Sequence, residues 1–553
     1  MPEIGNAPHV DALDMLVKRE PQRHDLIVGF VGAIGTPWEQ VIRSFEESFK
    51  RFDYTVELIH LASLLDDLGP QIFQELPERD SAEYYDRRMN AGDELRSSAK
   101  NAAAMAALAV RQIVRLRKSR TSKVPVAYLL RSLKHPSEID LLRYVYGSAF
   151  FAVGVVCSAQ ERREVLSDSL SLFEDHKSQV EELVARDQAD SSNREYGQKV
   201  RDAYELADAY VPGNRGINVS LEINRFVDTI FGAPFVTPTP GEEAMFFADG
   251  ASLRSAAAGR QVGAALLPVI GTPIVAGVNE VPKPGGGQYW EGDSPDYRDF
   301  RAGRDPNPNF VQELIQDLLV TLRNTGLLQD DLANKTGPEL LELARSAGDS
   351  TAPSLKDAYV ASLIEFTRCL HAEQAAIINA ARGGVSTQDA VLYSTAFPCH
   401  ECAKMIVGAG ISEVQYIEPY PKSLVDRLFR NEIDTSPDRF GDDGEAQSAN
   451  RLPFVQFTGI APRWYSQAFR AQERRMGNKL VDFVRSEANP RSNDWIQLAV
   501  EELESGVIES ITETIDGMDS HQTVESDSSA PDADAEQSRD VGTISELPRV
   551  HER

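Results

Sequence analysis

Two short strings that lie apart in the chain constrain this sequence more than any other feature. The first is His371-Ala372-Glu373, and the second is Pro398-Cys399-His400-Glu401-Cys402. One imidazole and two thiolates are donor types that zinc prefers, and three protein ligands leave the fourth tetrahedral position open. A fold that uses these donors together must bring the two strings into contact. The sequence therefore predicts a Zn²⁺ site on His371, Cys399 and Cys402.

Both strings are predicted to begin a helix. A proline suits the first turn of a helix because its missing N–H would have gone unpaired there, so Pro398 indicates a helix start near Cys399. That position places Cys399 and Cys402 on one face, near backbone N–H groups that favour thiolates. His371 begins the other helix, HAEQAAIINAA.

Glu373 is not needed as a ligand, so we expect its carboxylate to lie beside the open zinc position and to carry protons. Zinc, when bound, lowers the pKa of a water molecule towards neutrality. Glu373 would take that proton and pass it to a ring nitrogen and then to leaving ammonia. The pattern H-x-E followed by P-C-x-x-C is typical of zinc-dependent cytosine and adenine deaminases. The sequence thus predicts a catalytic deaminase centre.

The cysteines also admit other interpretations. A C-x-x-C alone would equally indicate a structural zinc ribbon or a redox pair. A structural site needs a fourth ligand, and the nearest candidate, Cys369, is predicted to face away. We expect Cys157 to belong to the core of a strand and His400 to lie on a helix surface.

Composition and charge exclude several classes of protein. The 553 residues are too many for one compact core, and four cysteines cannot form a disulfide framework. The sequence shows no secretory signal and no apolar run that could span a bilayer, so we expect a cytoplasmic protein without a membrane partner. The formal net charge of −28 argues against a stable nucleic-acid partner.

Strand-like and helix-like runs alternate along the chain, which predicts an α/β fold with a parallel sheet in the first domain. Its strands are expected at 25–31, from Val124 and up to Cys157, with a helix at 219–231. We predict an N-terminal extension (1–20), a first domain (21–235), a second domain (240–480) and an acidic disordered tail (505–553). The second domain should open with a helix at 251–261, form a hairpin around Gly271-Thr272 and carry a helical insertion at about 305–365.

The turn after the first strand is predicted to be a phosphate-binding loop. Its candidate residues are Gly29, Gly32, Gly35 and Thr36, whose backbone N–H groups lie where a strand turns into a helix. No lysine precedes Thr36, so phosphoryl transfer is not expected. The alternative is a glycine turn that serves packing alone.

Residues from about 250 to 423 resemble the deoxycytidylate deaminase branch of the zinc cytidine deaminase-like superfamily. The matching segments are RQVGAALL (260–267), IVAGVNEVP (274–282), HAE (371–373), TAFPCHECAKMIVGAGI (395–411) and EVQYIEPYPKS (413–423). The first-domain loop and RSLKHPSEIDLLRYVYG (131–147) resemble P-loop nucleotide kinases. The combination resembles bacterial anti-phage dCTP deaminases and implies a degenerate P-loop-like domain followed by a cytidine deaminase-like α/β/α domain.

The resemblance implies that the three ligands bind zinc, that Glu373 shuttles protons, and that a deoxycytidine nucleotide is the substrate. Asn279 stands where the family has a substrate-side asparagine, although an asparagine there could simply cap a loop. Arg254, Arg260 and Lys422 are candidates to meet phosphates, although exposed basic residues are mostly just surface. The insertion between Asn279 and His371 is longer than small deoxycytidylate deaminases carry, which leaves the phosphate count open.

In such enzymes dCTP would be converted to dUTP and ammonia, emptying a pool that phage replication needs. A regulatory nucleotide at the first domain and a homo-oligomer are compatible with this resemblance. The alternatives are a dCMP deaminase of nucleotide metabolism, a nucleic-acid cytidine or adenosine deaminase, and a non-catalytic zinc protein. The acidic body disfavours the second and Glu373 the third.

Overall fold

The computed structural model of the protein describes most of the chain. It covers residues 23–68, 81–169, 177–188, 195–216, 218–346, 355, 358–417, 423–435, 451–470, 473–491 and 497–526. The predicted N-terminal extension, Lys422 and residues 527–553 lie outside this part of the chain.

The first domain is built on a parallel sheet. Its strands are β1 (Leu26–Val31), β2 (Thr55–His60), β3 (Val126–Leu133), β4 (Phe150–Val156) and β5 (Ala209–Pro212). They pair in the order β2-β3-β1-β4-β5, and every pair among them is parallel. The three strands predicted from apolar runs are the three central ones, since only strands covered on both faces show continuous apolar sequence. The predicted parallel sheet is therefore confirmed.

Helices cover this sheet. They are α1 (Glu39–Lys50), α2 (Ala82–Ser98), α3 (Ala104–Ser119), α4 (Pro136–Tyr146), α5 (Ala159–Ser169), α6 (Lys177–Gln188), α7 (Val200–Tyr204) and α8 (Ser220–Ile230), with a 3₁₀ segment at Leu61–Leu68. In α1, Val41, Phe45 and Phe49 recur at helical spacing and are fully buried. They pack with Phe226 of α8 on one side of the sheet.

The second domain opens with α9 (Pro240–Ser252) rather than with the helix predicted at 251–261. The Thr239 hydroxyl accepts a hydrogen bond from Glu242 N–H, and Glu242 accepts one from Thr239 N–H. This capping box and Pro240 fix the helix start well upstream of the predicted one. The sequence TPTP (237–240) is thus the entrance to a helix.

A mixed sheet forms the centre of the second domain. Its strands are β6 (Gly263–Leu267), β7 (Val275–Val278), β8 (Val391–Ser394), β9 (Glu413–Tyr416), β10 (Ile433–Asp434) and β11 (Leu452–Gln456). They are arranged in the order β7-β6-β8-β9-β11-β10. Strands β6 and β7 are antiparallel, which confirms the predicted hairpin, whereas β8, β9, β11 and β10 are parallel.

The helices of this domain fall into two groups. The insertion before the metal motif contains α10 (Asp299–Ala302), α11 (Pro306–Asn324) and α12 (Gly337–Ser346), and the helices around the sheet are α13 (Ala372–Gly383), α14 (His400–Gly408) and α15 (Val425–Leu428). Helix α13 lies against β7 at Gly277, where a Cβ would stand 2.2 Å from Ala372 O. Glycine is required there because the helix backbone touches the strand, and this contact sets the position of His371.

The chain then returns to the first domain. Strand β12 (Gly459–Ile460) pairs antiparallel with β5, and α16 (Pro462–Ala468) places Trp464 in the aromatic core of the first domain. A short hairpin, β13 (Arg475–Met476) and β14 (Lys479–Leu480), follows. The predicted domain end at 480 is therefore wrong, because residues from 459 onwards complete the first domain.

The last described element, α17 (Gln497–Ser526), corrects the prediction of a disordered tail from residue 505. Val500, Ile511 and Ile515 of this helix are buried in the core that surrounds α3. Glu504 accepts a 2.8 Å hydrogen bond from Arg117 in a buried ion pair. The acidic composition of this stretch hides the few apolar residues that give the helix one buried face.

The two domains share one hydrophobic core. Ala244 and Met245 of α9 belong to the same buried cluster as Tyr204 and Tyr210 of the first domain. Arg225 of α8 forms an ion pair of 2.6 Å with Glu242 of α9. No helix in the described part of the chain is long and apolar enough to cross a membrane.

Candidate metal centre

The three predicted zinc ligands meet in the structure. His371 Nδ1 lies 3.2 Å from Cys399 Sγ and 3.3 Å from Cys402 Sγ, and all three donor atoms lie within 4.8 Å of one another. A tetrahedral zinc with Zn–N of about 2.0 Å and Zn–S of about 2.3 Å separates such donors by roughly 3.5 Å. Among the described residues, no fourth histidine, cysteine or carboxylate joins the group. The donor set therefore fits a three-ligand zinc site.

Two helix starts bring these donors together. His371 is the N-cap of α13, and its N–H donates to Gln374 Oε1 at 3.1 Å. Cys399 is the N-cap of α14, and Cys402 lies in the first turn of that helix. The positive ends of both helix dipoles therefore point towards the thiolate sulfurs, which favours their charged form.

Hydrogen bonding between the two sulfurs separates their acidities. A hydrogen bond from Cys402, opposed by burial and helped by His371, lowers the pKa of Cys399 to about 4. The same hydrogen bond and burial raise the pKa of Cys402. Cys399 is thus the more acidic thiol of the pair, and zinc, when bound, would leave both sulfurs deprotonated because a coordinating thiol loses its proton outright.

Glu373 lies beside the ligands without being one of them. Its side chain is buried, with 4% of its surface exposed, and its Oε2 lies 3.4 Å from Cys402 Sγ. Burial and, second, the Cys399 charge raise the pKa of Glu373. The direction of this shift is the one that suits a carboxyl group to act as an acid–base residue.

Ser394, at the end of β8, is a site residue that the sequence did not reveal. Its hydroxyl donates to Glu373 Oε1 at 3.4 Å and is fully buried. It lies 21 residues beyond Glu373 in the chain, outside both motif strings. Its place at the carboxyl end of a strand that adjoins the motif was the signal available to find it.

The other cysteines and the intervening histidine lie outside the donor group, as predicted. Cys369 is half-buried, and burial raises its pKa to about 12. Cys157 is buried directly after β4. His400 lies 4.0 Å from the exposed Glu365 carboxylate, on the outer side of the helix start.

The structure gives Asn279 contacts within the protein. Its Oδ1 accepts from Val262 N–H at 2.8 Å, and its Nδ2 donates to Arg260 O at 2.7 Å. These bonds fix the segment that enters β6. A direct contact of Asn279 with substrate remains a prediction, and it would require this amide to exchange its backbone partners.

The predicted phosphate ligands occupy different places. Arg254 stacks on the Trp290 ring, 3.8 Å from its centroid, and donates to Gln288 Oε1 at 2.8 Å. Arg260 is ion-paired with Glu205 of the first domain. Phosphate binding by these residues and by Lys422 remains a prediction.

The predicted phosphate loop is contacted by a carboxylate from α6, that of Asp187. Ile34 N–H donates to Asp187 Oδ2 at 2.8 Å, and Lys134 Nζ donates to Asp187 Oδ1 at 2.7 Å and to Gly32 O at 3.0 Å. Asp187 is fully buried. The Asp187 carboxylate therefore occupies the Ile34 N–H, a loop amide that a bound phosphate could otherwise use.

The glycines of this loop are explained by close packing. A Cβ on Gly29 would stand 2.5 Å from Leu133, and one on Gly32 would stand 2.6 Å from Trp38. Gly35 has φ of +83° and faces Arg162 O, which a Cβ would approach to 2.3 Å. The Thr36 hydroxyl donates to Ala33 O at 2.7 Å. Nucleotide binding by Gly29, Gly32, Gly35 and Thr36 remains a prediction.

Comparison with known families agrees with the metal centre. Residues 240–418 match the family model for the cytidine and deoxycytidylate deaminase zinc-binding region. The matched segment contains the three donors, Glu373 and Ser394. The predictions of a zinc-dependent deaminase domain and of Zn²⁺ as its metal are confirmed.

Individual relatives match only short stretches. The chain is 46% identical over 64 residues to a deoxycytidylate deaminase of Enterobacteria phage T2, which covers 11% of this chain and 34% of that protein. It is 45% identical over 53 residues to the ComE operon protein 2 of Bacillus subtilis, covering 10% and 28%. The chain thus spans about a third of the length of these curated relatives.

One solved structure overlaps a larger part of the chain. A crystal structure of dCMP deaminase from the cyanophage S-TIM5 in apo form covers 40% of this chain and 99% of its own, with 18% identity and a TM-score of 0.19. A TM-score of this size does not establish a shared fold for the whole chain.

Proposed function

We propose that this protein hydrolytically deaminates deoxycytidine nucleotides, with dCTP as the substrate and dUTP and ammonia as products. One observation carries the proposal. Glu373 is buried beside the His371, Cys399 and Cys402 donors, yet it is not a member of the donor group. A purely structural zinc site has no use for a buried carboxyl group in that position.

The reaction needs few groups. The oxygen of water forms a bond to the amine-bearing carbon of the cytosine ring, the carbon–nitrogen bond breaks, and ammonia leaves. Glu373 accepts one proton from water and gives it to the ring nitrogen. It then accepts the second proton from the new hydroxyl group on the ring carbon and gives it to the leaving nitrogen, so that the carbon becomes a carbonyl and the carboxylate is restored. The Ser394 hydroxyl orients the carboxyl group through its hydrogen bond to Oε1. The metal, when bound, supplies acidification of the attacking water.

The nucleotide class and the number of phosphates on the substrate are supported by different observations. Relatives named deoxycytidylate deaminase favour a deoxycytidine nucleotide, and they favour dCMP as a second candidate. The triphosphate and a role in anti-phage defence are supported by the sequence resemblance of the whole domain combination. Localisation in the cytoplasm is part of the same proposal, since nucleotide pools are found there.

A substrate panel tests the proposal. Zinc-loaded protein is incubated with dCTP, dCMP, CTP and a single-stranded oligodeoxynucleotide, and uracil formation is followed by chromatography. We expect product from dCTP first. Product from dCMP alone would select the second candidate, and product from the oligonucleotide alone would reject both.

Variants assign the proton-carrying role. Glu373→Gln should reduce turnover by about 10²–10⁴-fold, the usual contribution of a general acid–base group. Zinc content, measured by atomic emission, should stay unchanged. The matched control is Glu413→Gln, a carboxylate of the same domain that is bonded to Gln415. Turnover by Glu373→Gln equal to that of the control would refute the assignment.

A cellular measurement tests the defence role separately. Bacteria that express the protein or its Glu373→Gln variant are infected with phage, and deoxynucleotide pools are measured over time. We expect dCTP to fall after infection only with the active protein. Equal dCTP in both strains would contradict a defence role while leaving the deaminase proposal in place.

A further inference from the structure

A cavity of about 280 Å³ lies in the first domain, away from the metal centre. The loop after β1, the ends of β2 and β3, and α2 all contribute to its wall. Ligands of open α/β sheets bind at the carboxyl ends of the strands, which is where this cavity lies. Its volume is close to the lower end of the range of about 300–1,000 Å³ for small-molecule sites. It therefore suits one compact ligand.

The wall is largely apolar and includes flat rings. The aromatic contributors are Trp38 after the loop and the adjacent Tyr84 and Tyr85 of α2, together with apolar Leu61, Leu65 and Met105. Aromatic side chains of this kind stack on the bases of nucleotides with little preference for sequence. The cavity thus offers surfaces that match a planar heterocycle.

Among four basic side chains that line the cavity, three are neutralised by carboxylates. The ion pairs are Arg88 with Asp66, Arg96 with Glu138, and Lys134 with Asp187. Within the described part of the chain, the fourth, Arg131, makes no ion pair, and its buried Nε has no hydrogen-bond partner. Its guanidinium lies over the Trp38 ring, 5.4 Å from the centroid. A cation held in this way is suited to receive an anion.

A second polar group without a partner lies in the same wall. Gln198 is 96% buried, since 4% of its surface is exposed, and its Oε1 has no hydrogen-bond partner among the described residues. Buried polar atoms are nearly always satisfied, so an exception in a cavity wall needs an explanation. A ligand that carries an N–H or O–H would supply the missing donor.

The neighbouring loop does not provide the anion site. Its Ile34 N–H is already bonded to Asp187, and Lys134 balances the charge of that carboxylate. A phosphate on the loop would have to displace the fully buried carboxylate of Asp187 from its ion pair with Lys134. Arg131 is therefore the better anchor for a negative charge.

We propose that this cavity binds a nucleoside monophosphate. Its phosphate contacts Arg131, a donor on its base or sugar contacts Gln198, and its ring lies against the aromatic side chains of α2. One unpaired guanidinium and the small volume favour one phosphate over three. The proposal rests on the first domain alone and does not require the deamination proposed for the second.

Calorimetric titration of the zinc-loaded full chain tests this assignment. The probes are AMP, GMP, dCMP and dUMP, the unphosphorylated nucleosides, and inorganic phosphate. We expect at least one monophosphate to bind, and Arg131→Gln to weaken it by about 10–150-fold, the usual effect of losing a charged hydrogen bond. The corresponding nucleoside should bind weakly and equally to both proteins. For dCMP, which the second domain would also bind, the stoichiometry should fall from two to one.

Three control variants distinguish the loss of phosphate binding at Arg131 from a loss of folding and from phosphate binding at the loop. Arg87→Gln removes a partly exposed arginine of α2 that forms an ion pair with Glu83 and does not line the cavity, and this variant should bind like the wild type. If Arg131→Gln melts at a lower temperature, Arg131→Lys keeps the charge without the planar fork and should still lose affinity. Absence of monophosphate binding, or binding unchanged in both Arg131 variants, overturns the proposal. Tighter binding by Asp187→Asn with no effect at Arg131 would place the phosphate on the loop and overturn it as well.

Discussion

Each domain places a functional motif where a strand of its sheet gives way to a helix, but the two turns are completed differently. In the second domain, the turn from β8 to α14 presents Cys399 and Cys402 to a histidine from another helix start. In the first domain, the turn from β1 to α1 gives its Ile34 amide to Asp187, and Lys134 balances that charge. The donors in the second domain gather around a common centre, whereas the loop amide in the first domain is paired within the protein.

This difference shows when a local sequence motif is enough to predict a binding site. Three donors of zinc-binding type that converge define a site, because one zinc ion can coordinate all three at once. A glycine-rich turn has the backbone of an anion site, yet a carboxylate from elsewhere in the chain can satisfy it. Four predictions test this contrast, in order of decreasing effect.

Removing one metal donor should have the largest effect. Loss of an outer-shell partner alone typically costs about 10–100-fold in metal affinity or activity, so Cys402→Ser should reduce deaminase turnover by more than about a hundredfold. Zinc content should fall well below one ion per chain. Elemental analysis and the uracil assay measure both. Full zinc retention by Cys402→Ser would show that the cysteine pair is not needed to hold the metal.

Removing the internal carboxylate should destabilise the first domain. Asp187→Ala leaves Lys134 without its partner, and breaking a buried pair in this way costs about 3–5 kcal/mol in the free energy of unfolding. The double variant with Lys134→Met should recover part of that loss, since no stranded charge remains. Urea unfolding, followed by circular dichroism, measures the free energies of unfolding of the wild type, the two single variants and the double variant. If the free energy of unfolding of Asp187→Ala equals that of the wild type, Asp187 does not stabilise the loop.

Glycine should be needed in the first-domain loop for steric reasons. Gly35→Ala combines a positive φ, which costs about 1–2 kcal/mol, with a Cβ position 2.3 Å from Arg162 O. The matched control is Gly216→Ala, where φ is +79° but no atom of the described residues lies within 4 Å of the added Cβ. The difference between the two unfolding free energies isolates the steric part. Equal losses would show that the loop has room to relax.

The smallest effect should be a pH dependence next to the loop. Burial lowers the pKa of His135, whose Nδ1 accepts a hydrogen bond from Ser137 N–H at the start of α4. The folded state therefore binds fewer protons than the unfolded state just below the unfolded pKa of about 6.5, so stability falls as the pH decreases through this range. His135→Asn keeps a good cap and should flatten this slope. Unfolding free energies at pH 7.5 and 5.5 measure it, and equal slopes would rule out His135 as the source.

Local patterns sufficed for much of this structure and for the metal centre. The strands β1, β3 and β4 have continuous apolar sequence because helices cover both faces, and the zinc motif has fixed types and spacings. The edge strand β2 is largely exposed and lacks that signature. Asp187 lies 153 residues beyond Ile34 in the chain, so no local pattern connects them. The helix α17 was missed because three buried apolar residues are outnumbered by acidic ones.

The return of the chain at β12 has a mechanical consequence. Residues 240–457 leave the first domain once and re-enter it at β12, so the catalytic unit is inserted into its neighbour rather than appended to it. Two covalent crossings prevent a free swivel, and the core that Met245 shares with Tyr204 and Tyr210 opposes rotation of one domain against the other. A change of shape in the first domain is therefore carried to the second through packed side chains as well as through the two crossings.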